Sequence, residues 1–120
     1  MKKVAIIGAG IAGLFIANLF KKSSNYQVTI YEKNNTINLD EGYGIQLSVN
    51  CIKLLNQISF NKLQNDKKFT PEKIKFYSNN NSNKICELNI ADFNTQDCKY
   101  TTLKRSVLIN FLKRDLKDQI

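Results

Sequence analysis

The stretch VAIIGAGIAGLFIANLFKKSSNYQVTIYE, residues 4–32, decides the fold of this chain. A short apolar run at residues 4–7 leads directly into three glycines with G-x-G-x-x-G spacing, Gly8, Gly10 and Gly13. An apolar segment follows, and the β-branched and aromatic run at residues 27–31 ends at the acid Glu32. The order of strand, glycine turn, helix, strand and acid predicts a βαβ unit that carries the dinucleotide-binding fingerprint.

Each part of this fingerprint has a physical reason. Gly8 lets the chain turn tightly off the strand, because a residue without a Cβ adopts positive φ freely. Gly10 lets the backbone approach a pyrophosphate closely, and Gly13 lets the helix pack near the strands. The N-terminus of the helix offers free N–H groups and a partial positive charge to phosphates. Glu32 can accept hydrogen bonds from ribose hydroxyls and repels a 2′-phosphate, so NAD or the adenosine half of FAD fits better than NADP.

A secretory signal peptide is the alternative interpretation of this segment, because Lys2 and Lys3 precede a largely apolar run. Three glycines and Asn18 interrupt that run, and no small-residue cleavage site follows it. A signal peptide would also leave the spacing to Glu32 unexplained. Nucleotide binding is therefore the favoured interpretation, and it is also favoured over a glycine turn with a purely structural role.

Composition narrows the possible functions. The 120 residues make one small domain or part of a larger protein, and the hydrophobic content of 42% suffices for a modest core. The formal net charge is +8, but the basic residues are mostly scattered lysines, and the only arginines are Arg105 and Arg114. Nucleic-acid recognition favours clustered arginines with interleaved aromatic residues. We therefore expect no nucleic-acid partner.

The absence of histidine excludes Ser–His triads, histidine general bases and histidine metal ligands. Cys51, Cys86 and Cys98 are odd in number and lack metal-ligand spacing, so we expect them to pack in the core of a protein in a reducing compartment. No metal site is predicted. If the first apolar run is a strand and a helix, no other segment is suited to cross a membrane, so the sequence predicts a cytoplasmic protein.

Hydrophobic periodicity predicts the elements of the middle of the chain. The first helix is expected at residues 11–22, and a polar, Asn-rich loop at residues 33–44. Ile45 and Leu47 indicate a short strand. Ser48 or Asn50 can cap the helix that follows, whose apolar face has four members: Val49, Ile52, Leu55 and Ile58. A shorter helix is expected at residues 60–65.

The last third of the chain alternates between strand and helix patterns. Residues 73–77 and 84–88, separated by an Asn-rich turn, predict an antiparallel hairpin. A loop at residues 92–99 and a short strand at residues 100–103 come next. The final helix is expected at residues 106–118, with an apolar face of Val107, Leu108, Phe111, Leu112 and Leu116. Arg105 stands at its start, where a cation is mildly disfavoured, so an anion contact and a solvated surface position both remain open.

Three features in this order resemble the N-terminal third of the FAD-dependent aromatic hydroxylases. These are the single-component flavoprotein monooxygenases related to p-hydroxybenzoate, salicylate and ubiquinone-pathway hydroxylases. The first feature is GAGIAG with Glu32. The second is residues 42–47 with Asn50, which match a G-x-G-I-x-L-x-x-N segment. The third is Arg105 with Leu108, which match R-x-x-L at the start of a leucine-bearing helix. The resemblance covers nearly the whole chain.

The resemblance implies an α/β, Rossmann-like FAD/NAD(P)-binding fold that is partial and carries an inserted antiparallel hairpin. It implies that the FAD pyrophosphate contacts the glycine turn, at Gly8, Gly10, Ala12 and Gly13. Glu32 would bind the adenosine ribose, and Lys33 a phosphate or the adenine, although Lys lacks the planar fork of the Arg more usual there. The ribityl chain and flavin ring would lie along Gly44, Ile45 and Gln46. Arg105 would contact FAD phosphate or ribityl oxygens.

The implied reaction is hydroxylation of an aromatic ring by O₂ at a flavin reduced by NAD(P)H, without a side-chain nucleophile or base. Family members run to several hundred residues. We therefore expect residues 1–120 to form an incomplete FAD-binding domain, inactive alone. The βαβ unit would occupy residues 1–33, and the hairpin at residues 73–88 would begin a substrate domain. A missing C-terminal chain is then an expected partner beside the small-molecule cofactor.

Two alternatives remain open. One is another FAD- or NAD-binding oxidoreductase, such as a dehydrogenase or halogenase, because these share the pattern of residues 8–32. The other is a non-catalytic nucleotide-binding or interaction module, in which the rest of the enzyme is a partner chain or is lost.

Overall fold

A computed structural model describes residues 1–35, 37 and 42–120 of the chain. The predicted loop at residues 33–44 is thus described only in part, and residues 36 and 38–41, Glu41 among them, lie outside the described residues. The strands and helices are β1 (Lys2–Ile7), α1 (Ile11–Lys21), β2 (Tyr26–Tyr31), β3 (Gly44–Leu47), α2 (Val49–Asn56), β4 (Lys73–Tyr77), β5 (Lys84–Asn89), β6 (Thr101–Lys104) and α3 (Arg105–Lys113). The predicted α/β class is confirmed.

The first three elements form the predicted βαβ unit. Strands β1 and β2 are parallel, with Lys2 opposite Tyr26 and Ile7 opposite Tyr31. Parallel strands need a crossover connection, and α1 provides it. Leu14 and Ala17 on the inner face of α1 are fully buried, in the same core cluster as Val28 and Ile30 of β2. The glycine turn therefore lies at the carboxyl end of β1, directly before α1.

A second small sheet joins segments that are far apart in the sequence. Strand β3 pairs with β6 in antiparallel register, with Gly44 opposite Lys104 and Leu47 opposite Thr101. Helix α2 follows β3, and α3 follows β6 without an intervening loop. The start of α3 and the start of β3 consequently lie at the same end of this sheet.

Helix α3 supplies the centre of the hydrophobic core. Leu108, Ile109 and Leu112 have no exposed surface. Leu108 and Leu112 belong to the predicted apolar face, whereas the burial of Ile109 was not predicted. The rings of Phe60 and Phe111 meet edge to face, with centroids 5.2 Å apart. Asn18 is the one polar residue in the middle of α1, and its Nδ2 donates to the carbonyl oxygens of Leu14 and Leu112. This amide therefore ties α1 to α3.

The predicted hairpin is confirmed as β4 and β5 in antiparallel register. Ile74 lies opposite Leu88 and Phe76 opposite Cys86, so these apolar side chains share one face of the hairpin. On this face, Cys86 is exposed. The expectation that all three cysteines pack in the core is therefore wrong for Cys86, because the hairpin face that carries it is open to solvent. Cys98 is buried and Cys51 is half-buried.

Two predicted helices differ from those observed. The helix expected at residues 60–65 is replaced by two short 3₁₀ turns, Phe60–Lys62 and Asn65–Lys67. Leu63 between them is extended, which interrupts a continuous helix. Phe60 is fully buried, so the burial of this side chain outweighs the helical pattern of the segment.

The final helix ends at Lys113 instead of continuing to residue 118, although Leu116 beyond it is fully buried. Beyond the helix the chain tightens into a turn in which the N–H of Leu116 donates to the carbonyl oxygen of Lys113 at 3.0 Å. The carbonyl oxygen of Asp115 accepts a hydrogen bond from Nζ of Lys21. Within the described ranges, no helix combines the length and the hydropathy that crossing a bilayer requires.

Candidate nucleotide-binding site

Gly8 begins the turn between β1 and α1 in a conformation that favours glycine. Its φ is +96°, in the left-handed region that side chains with a Cβ rarely adopt. Its N–H donates to the carbonyl oxygen of Tyr31 at 2.7 Å, which holds the turn against the end of β2. The tight turn predicted at this position is therefore confirmed.

Gly13 allows α1 to pack directly on this turn. A Cβ at Gly13 would lie 2.1 Å from the carbonyl oxygen of Gly8 and 3.3 Å from Cγ2 of Ile6. The first distance is far inside van der Waals contact, and the atom it involves belongs to the backbone, so no side-chain movement can relieve it. The packing reason for glycine at this position is confirmed.

Gly10 has neither constraint. Its φ of −75° and ψ of −178° are extended values open to any residue, and a Cβ there would meet none of the described atoms within 4 Å. Gly10 is the N-cap of α1, and the N–H of Leu14 donates to its carbonyl oxygen at 2.9 Å. An α-helix leaves its first amides without an intrahelical acceptor, here those of Ile11, Ala12 and Gly13. In the described part of the chain, no side chain caps this end of α1 and its first turn holds no acid.

Glu32 reaches back from the end of β2 to the glycine turn. Its Oε2 accepts a hydrogen bond from the N–H of Ala9 at 2.8 Å, and its Oε1 accepts one from the N–H of Asn34 at 3.0 Å. These hydrogen bonds hold the pKa of the Glu32 carboxyl below its ordinary value of 4.5, and the bond from Ala9 lowers it more than the bond from Asn34 does. At neutral pH a carboxylate therefore lies at the turn. Lys33, the next residue, is exposed.

The second sheet brings together the site residues from the middle and the end of the sequence. Gly44, Ile45 and Gln46 lie in β3, opposite Lys104, Leu103 and Thr102 of β6. The N–H of Arg105, the first residue of α3, donates to the carbonyl oxygen of Tyr43 at 3.0 Å. The predicted site residues thus form two groups. Gly8, Gly10, Ala12, Gly13 and Glu32 surround the turn of the βαβ unit, and Gly44, Ile45, Gln46 and Arg105 lie on the second sheet.

Three contacts at the site were not predicted from the sequence. Ala9 donates its backbone N–H to Glu32, Tyr43 accepts a hydrogen bond from Arg105, and the hydroxyl of Tyr100 donates to Oε1 of Gln46 at 2.9 Å. Two of them use backbone atoms, which every residue type carries, so no sequence signal marks them. The third depends on the register between β3 and β6. Its only signal was Tyr100 at the start of a predicted strand.

Comparison with known sequences matches the segment that carries the first of the two groups. A family model described as an NAD(P)-binding Rossmann-like domain matches residues 6–41, the segment that contains the glycine turn and Glu32. A comparison with curated proteins found no significant match.

Comparison with solved structures covers nearly the whole chain. The chain is similar to a tetrameric form of 2-methyl-3-hydroxypyridine-5-carboxylic acid oxygenase, with a TM-score of 0.78 and 18% identity over 99% of this chain. It is also similar to a protein assigned as an FAD-containing monooxygenase of Photorhabdus luminescens, with a TM-score of 0.67 and 24% identity over 100% of this chain. A third is 2,6-dihydroxypyridine-3-hydroxylase from Arthrobacter nicotinovorans, with a TM-score of 0.66 and 14% identity over 92% of this chain.

The chain spans 30%, 30% and 25% of the length of these three proteins, respectively. At such low identities the comparison establishes the fold. The resemblance to FAD-dependent hydroxylases indicated by the sequence is confirmed at that level. The chain has a partial, Rossmann-like α/β fold that matches a limited part of larger oxygenase chains.

Proposed function

We propose that this chain is the FAD-binding N-terminal part of a flavin-dependent monooxygenase that hydroxylates an aromatic substrate with NAD(P)H as the reductant. The observation that carries the proposal is the hydrogen bond from the N–H of Arg105 to the carbonyl oxygen of Tyr43, together with the pairing of β3 and β6. A βαβ unit with a glycine turn suits many nucleotide-binding proteins. In the second sheet, the G-x-G-I-x-L segment lies next to Arg105, as the resemblance leads us to expect for a flavin site.

The residues of the first group fit the adenosine diphosphate half of FAD. The left-handed Gly8 shapes the turn, and the open space beside Gly10 admits a phosphate close to the backbone. The first amides of α1, that of Ala12 among them, are donors for pyrophosphate oxygens. Each carboxylate oxygen of Glu32 keeps a lone pair for a ribose hydroxyl, since each accepts one of the two hydrogen bonds described above. Lys33 is exposed next to it and supplies a cation for a phosphate or a contact for the adenine.

We assign the second group to the flavin half of the cofactor. Gly44, Ile45 and Gln46 are the first three residues of β3. The space beside Gly44 is open, because a Cβ on this residue would meet none of the described atoms within 4 Å. The hydrogen bond from Tyr100 orients the amide of Gln46. Arg105 supplies a permanent positive charge at the start of α3, suited to phosphate or ribityl oxygens.

When bound, the flavin supplies the redox chemistry, accepting a hydride from NAD(P)H and reacting with O₂. The residues of this chain bind and orient that group. The glycine turn and α1 hold one end, Glu32 fixes the ribose, and β3 with Arg105 fixes the other end. None of these roles requires a side chain that transfers a proton.

We further propose that residues 1–120 are an incomplete FAD-binding domain in which the hairpin begins a substrate domain. The solved neighbours are more than three times as long as this chain. Ile7 and Tyr31, paired at the end of the first sheet, are 82% and 57% exposed, whereas parallel sheets are usually covered on both faces. Such a part binds cofactor without completing the reaction, so we expect no hydroxylation by this chain alone.

Titration of the purified 120-residue chain with FAD, FMN and NAD⁺, followed by flavin fluorescence and calorimetry, tests the proposed function. We expect saturable binding of FAD that is at least about tenfold tighter than binding of FMN, because FMN lacks the adenosine diphosphate half that the first group holds. Binding of NAD⁺ in preference to FAD would favour another oxidoreductase. A folded chain that binds none of the three would contradict the proposal and favour a non-catalytic interaction module.

A further inference from the structure

The peptide group between Gly8 and Ala9 is held on both of its sides. Its carbonyl oxygen, that of Gly8, lies against Gly13. A Cβ on Gly13 would be only 2.1 Å from this oxygen. Its N–H, on Ala9, points the opposite way, as in any trans peptide, and donates to Oε2 of Glu32 at 2.8 Å. Ala9 itself is buried, with 2% of its surface exposed. Glu32 therefore contacts the backbone of the turn as well as lying beside the expected ribose position.

The orientation of this peptide group matters for an anion. Rotation of the group by half a turn would replace the N–H by a carbonyl oxygen on the side of Glu32 and would move the carbonyl away from α1. Such a rotation changes ψ of Gly8 and φ of Ala9, and Gly8 restricts its own end of the peptide group little because it has no Cβ. A hydrogen bond from the N–H to a carboxylate opposes the rotation, because the rotated carbonyl would face the negative charge.

We propose that Glu32 is a positioning residue for the glycine turn, in addition to its role as an acceptor for the ribose. The carboxylate holds the peptide group between Gly8 and Ala9 in the orientation that suits phosphate binding. The inference rests on the proposed function for the identity of the ligand. The two roles are compatible, because the hydrogen bonds from Ala9 and Asn34 use one lone pair on each carboxylate oxygen and leave the others for hydroxyl groups.

A nucleotide without ribose hydroxyls separates the two roles. If Glu32 only binds the ribose, its replacement leaves the affinity for 2′,3′-dideoxy-ADP unchanged apart from the lost negative charge. If Glu32 also positions the turn, loss of its acceptor oxygen weakens the binding of this ligand too. Glu32→Gln is the matched control for Glu32→Ala, because both remove the charge, whereas only Gln keeps an oxygen that can accept the hydrogen bond from Ala9.

NMR titration of the two variants with ADP and 2′,3′-dideoxy-ADP provides the test. We expect Glu32→Ala to bind 2′,3′-dideoxy-ADP about fivefold more weakly than Glu32→Gln does, the effect of one hydrogen bond. Without nucleotide, the Ala9 amide should exchange with solvent about tenfold faster in Glu32→Ala than in Glu32→Gln, while the Val28 amide in β2 exchanges equally. Should Glu32→Ala not fold, Glu32→Asp is compared with the unaltered chain instead, because both carry the charge and the shorter side chain withdraws the acceptor from Ala9.

Equal affinities of the two variants for 2′,3′-dideoxy-ADP, or equal exchange of the Ala9 amide, would overturn the inference. Failure of the proposed function gives a different result: the unaltered chain would then bind neither ADP nor FAD. In that case the exchange rate of Ala9, measured without nucleotide, still decides whether Glu32 holds the turn.

Discussion

The three glycines of the turn differ in what the structure requires of them. Gly8 is needed for its backbone conformation, and Gly13 for the space between α1 and the turn. At Gly10 the described structure imposes neither condition, so the protein itself would tolerate a larger residue. The proposed site gives a reason for glycine at residue 10, the close approach of a phosphate from outside, and this makes the position the sharpest single-residue test of the site.

Gly10→Val should abolish FAD binding while the chain stays folded. Its branched side chain fills the space that a phosphate needs, whereas the extended backbone of residue 10 accepts valine without strain. We expect the dissociation constant to rise by at least about a hundredfold, about 2.7 kcal/mol, with an unchanged circular dichroism spectrum.

Ala5→Val is the matched control for this change, because Ala5 is exposed in β1 and lies outside the proposed site. It should bind FAD like the unaltered chain. FAD binding that survives Gly10→Val would show that the phosphates do not approach this turn.

Gly13→Ala should destabilise the fold itself. The added Cβ would lie 2.1 Å from the carbonyl oxygen of Gly8, so α1 has to move away from the turn. Overpacking of this kind costs about 1–3 kcal/mol. Urea unfolding measures the loss, and Gly44→Ala is the control, because a Cβ there would meet no described atom within 4 Å. Equal stability of the two variants would contradict the close packing of α1 on the turn.

The ionised form of Glu32 should stabilise the fold in a defined range of pH. Hydrogen bonds from Ala9 and Asn34 lower its pKa in the folded chain below the ordinary value of 4.5. A carboxyl group whose pKa is lowered by folding stabilises the folded chain. This stabilisation is fully present above pH 4.5 and is lost as the pH falls through the pKa of the folded state. The difference in unfolding free energy between the unaltered chain and Glu32→Gln should therefore be constant from pH 7 to about pH 5 and shrink below that.

Urea unfolding at several pH values measures this difference. Glu87 also has a lowered pKa, caused by Lys73 and Lys84, but it is present in both proteins and its contribution cancels. A difference that stays constant down to pH 3 would exclude the hydrogen-bonded carboxylate.

At the scale of elements, the βαβ unit depends on α3 for its cover. Helix α1 is apolar around most of its surface, so it needs cover on more than one side, and its contacts with α3 supply part of that cover. Asn18 joins the two helices, because Nδ2 donates to the carbonyl oxygen of Leu112 at 2.7 Å. The glycine turn therefore depends for its stability on the C-terminal helix, which lies far away in the sequence.

Asn18→Ala should lower stability because it leaves the carbonyl of Leu112 with one hydrogen bond fewer. The expected loss in unfolding free energy is about 1–2 kcal/mol. Asn110→Ala is the control, since Asn110 is an exposed residue of α3 and its replacement should change stability by less than about 0.5 kcal/mol. Thermal or urea unfolding distinguishes the two variants. If both have the same stability, the bond between the helices contributes nothing measurable.

At the scale of the whole molecule, the chain combines two small sheets that carry proposed site residues with a hairpin that has an open apolar face. Its extents of 58 × 33 × 23 Å make it elongated for 120 residues. An elongated shape buries less apolar surface than a sphere, which agrees with the exposure of Ile7, Phe76 and Leu88. Cofactor binding should accordingly stabilise the chain, because a ligand that binds only the folded state shifts the equilibrium towards it.

Local patterns were the most predictable part of this protein. The G-x-G-x-x-G spacing, the β-branched run before Glu32 and the alternation in the hairpin each act within a few residues, so β1, α1, β2, β4 and β5 were predicted close to their observed bounds. The helix ends were less predictable. Helix α3 ends at Lys113, where the chain makes a tighter turn that buries Leu116 and brings the carbonyl oxygen of Asp115 to Lys21. Contacts with a distant side chain leave no trace in the local periodicity.

The sequence by itself determined that a strand, a glycine turn and a helix follow one another, because Gly8 and Gly13 satisfy conditions of backbone angle and packing set by near neighbours. Only the tertiary structure decided that Glu32 bonds to Ala9, that Gly44 lies opposite Lys104, and that Arg105 joins Tyr43. These contacts link residues that are distant in the chain. Their register follows from how whole elements pack around the core, and no local pattern of residues contains that information.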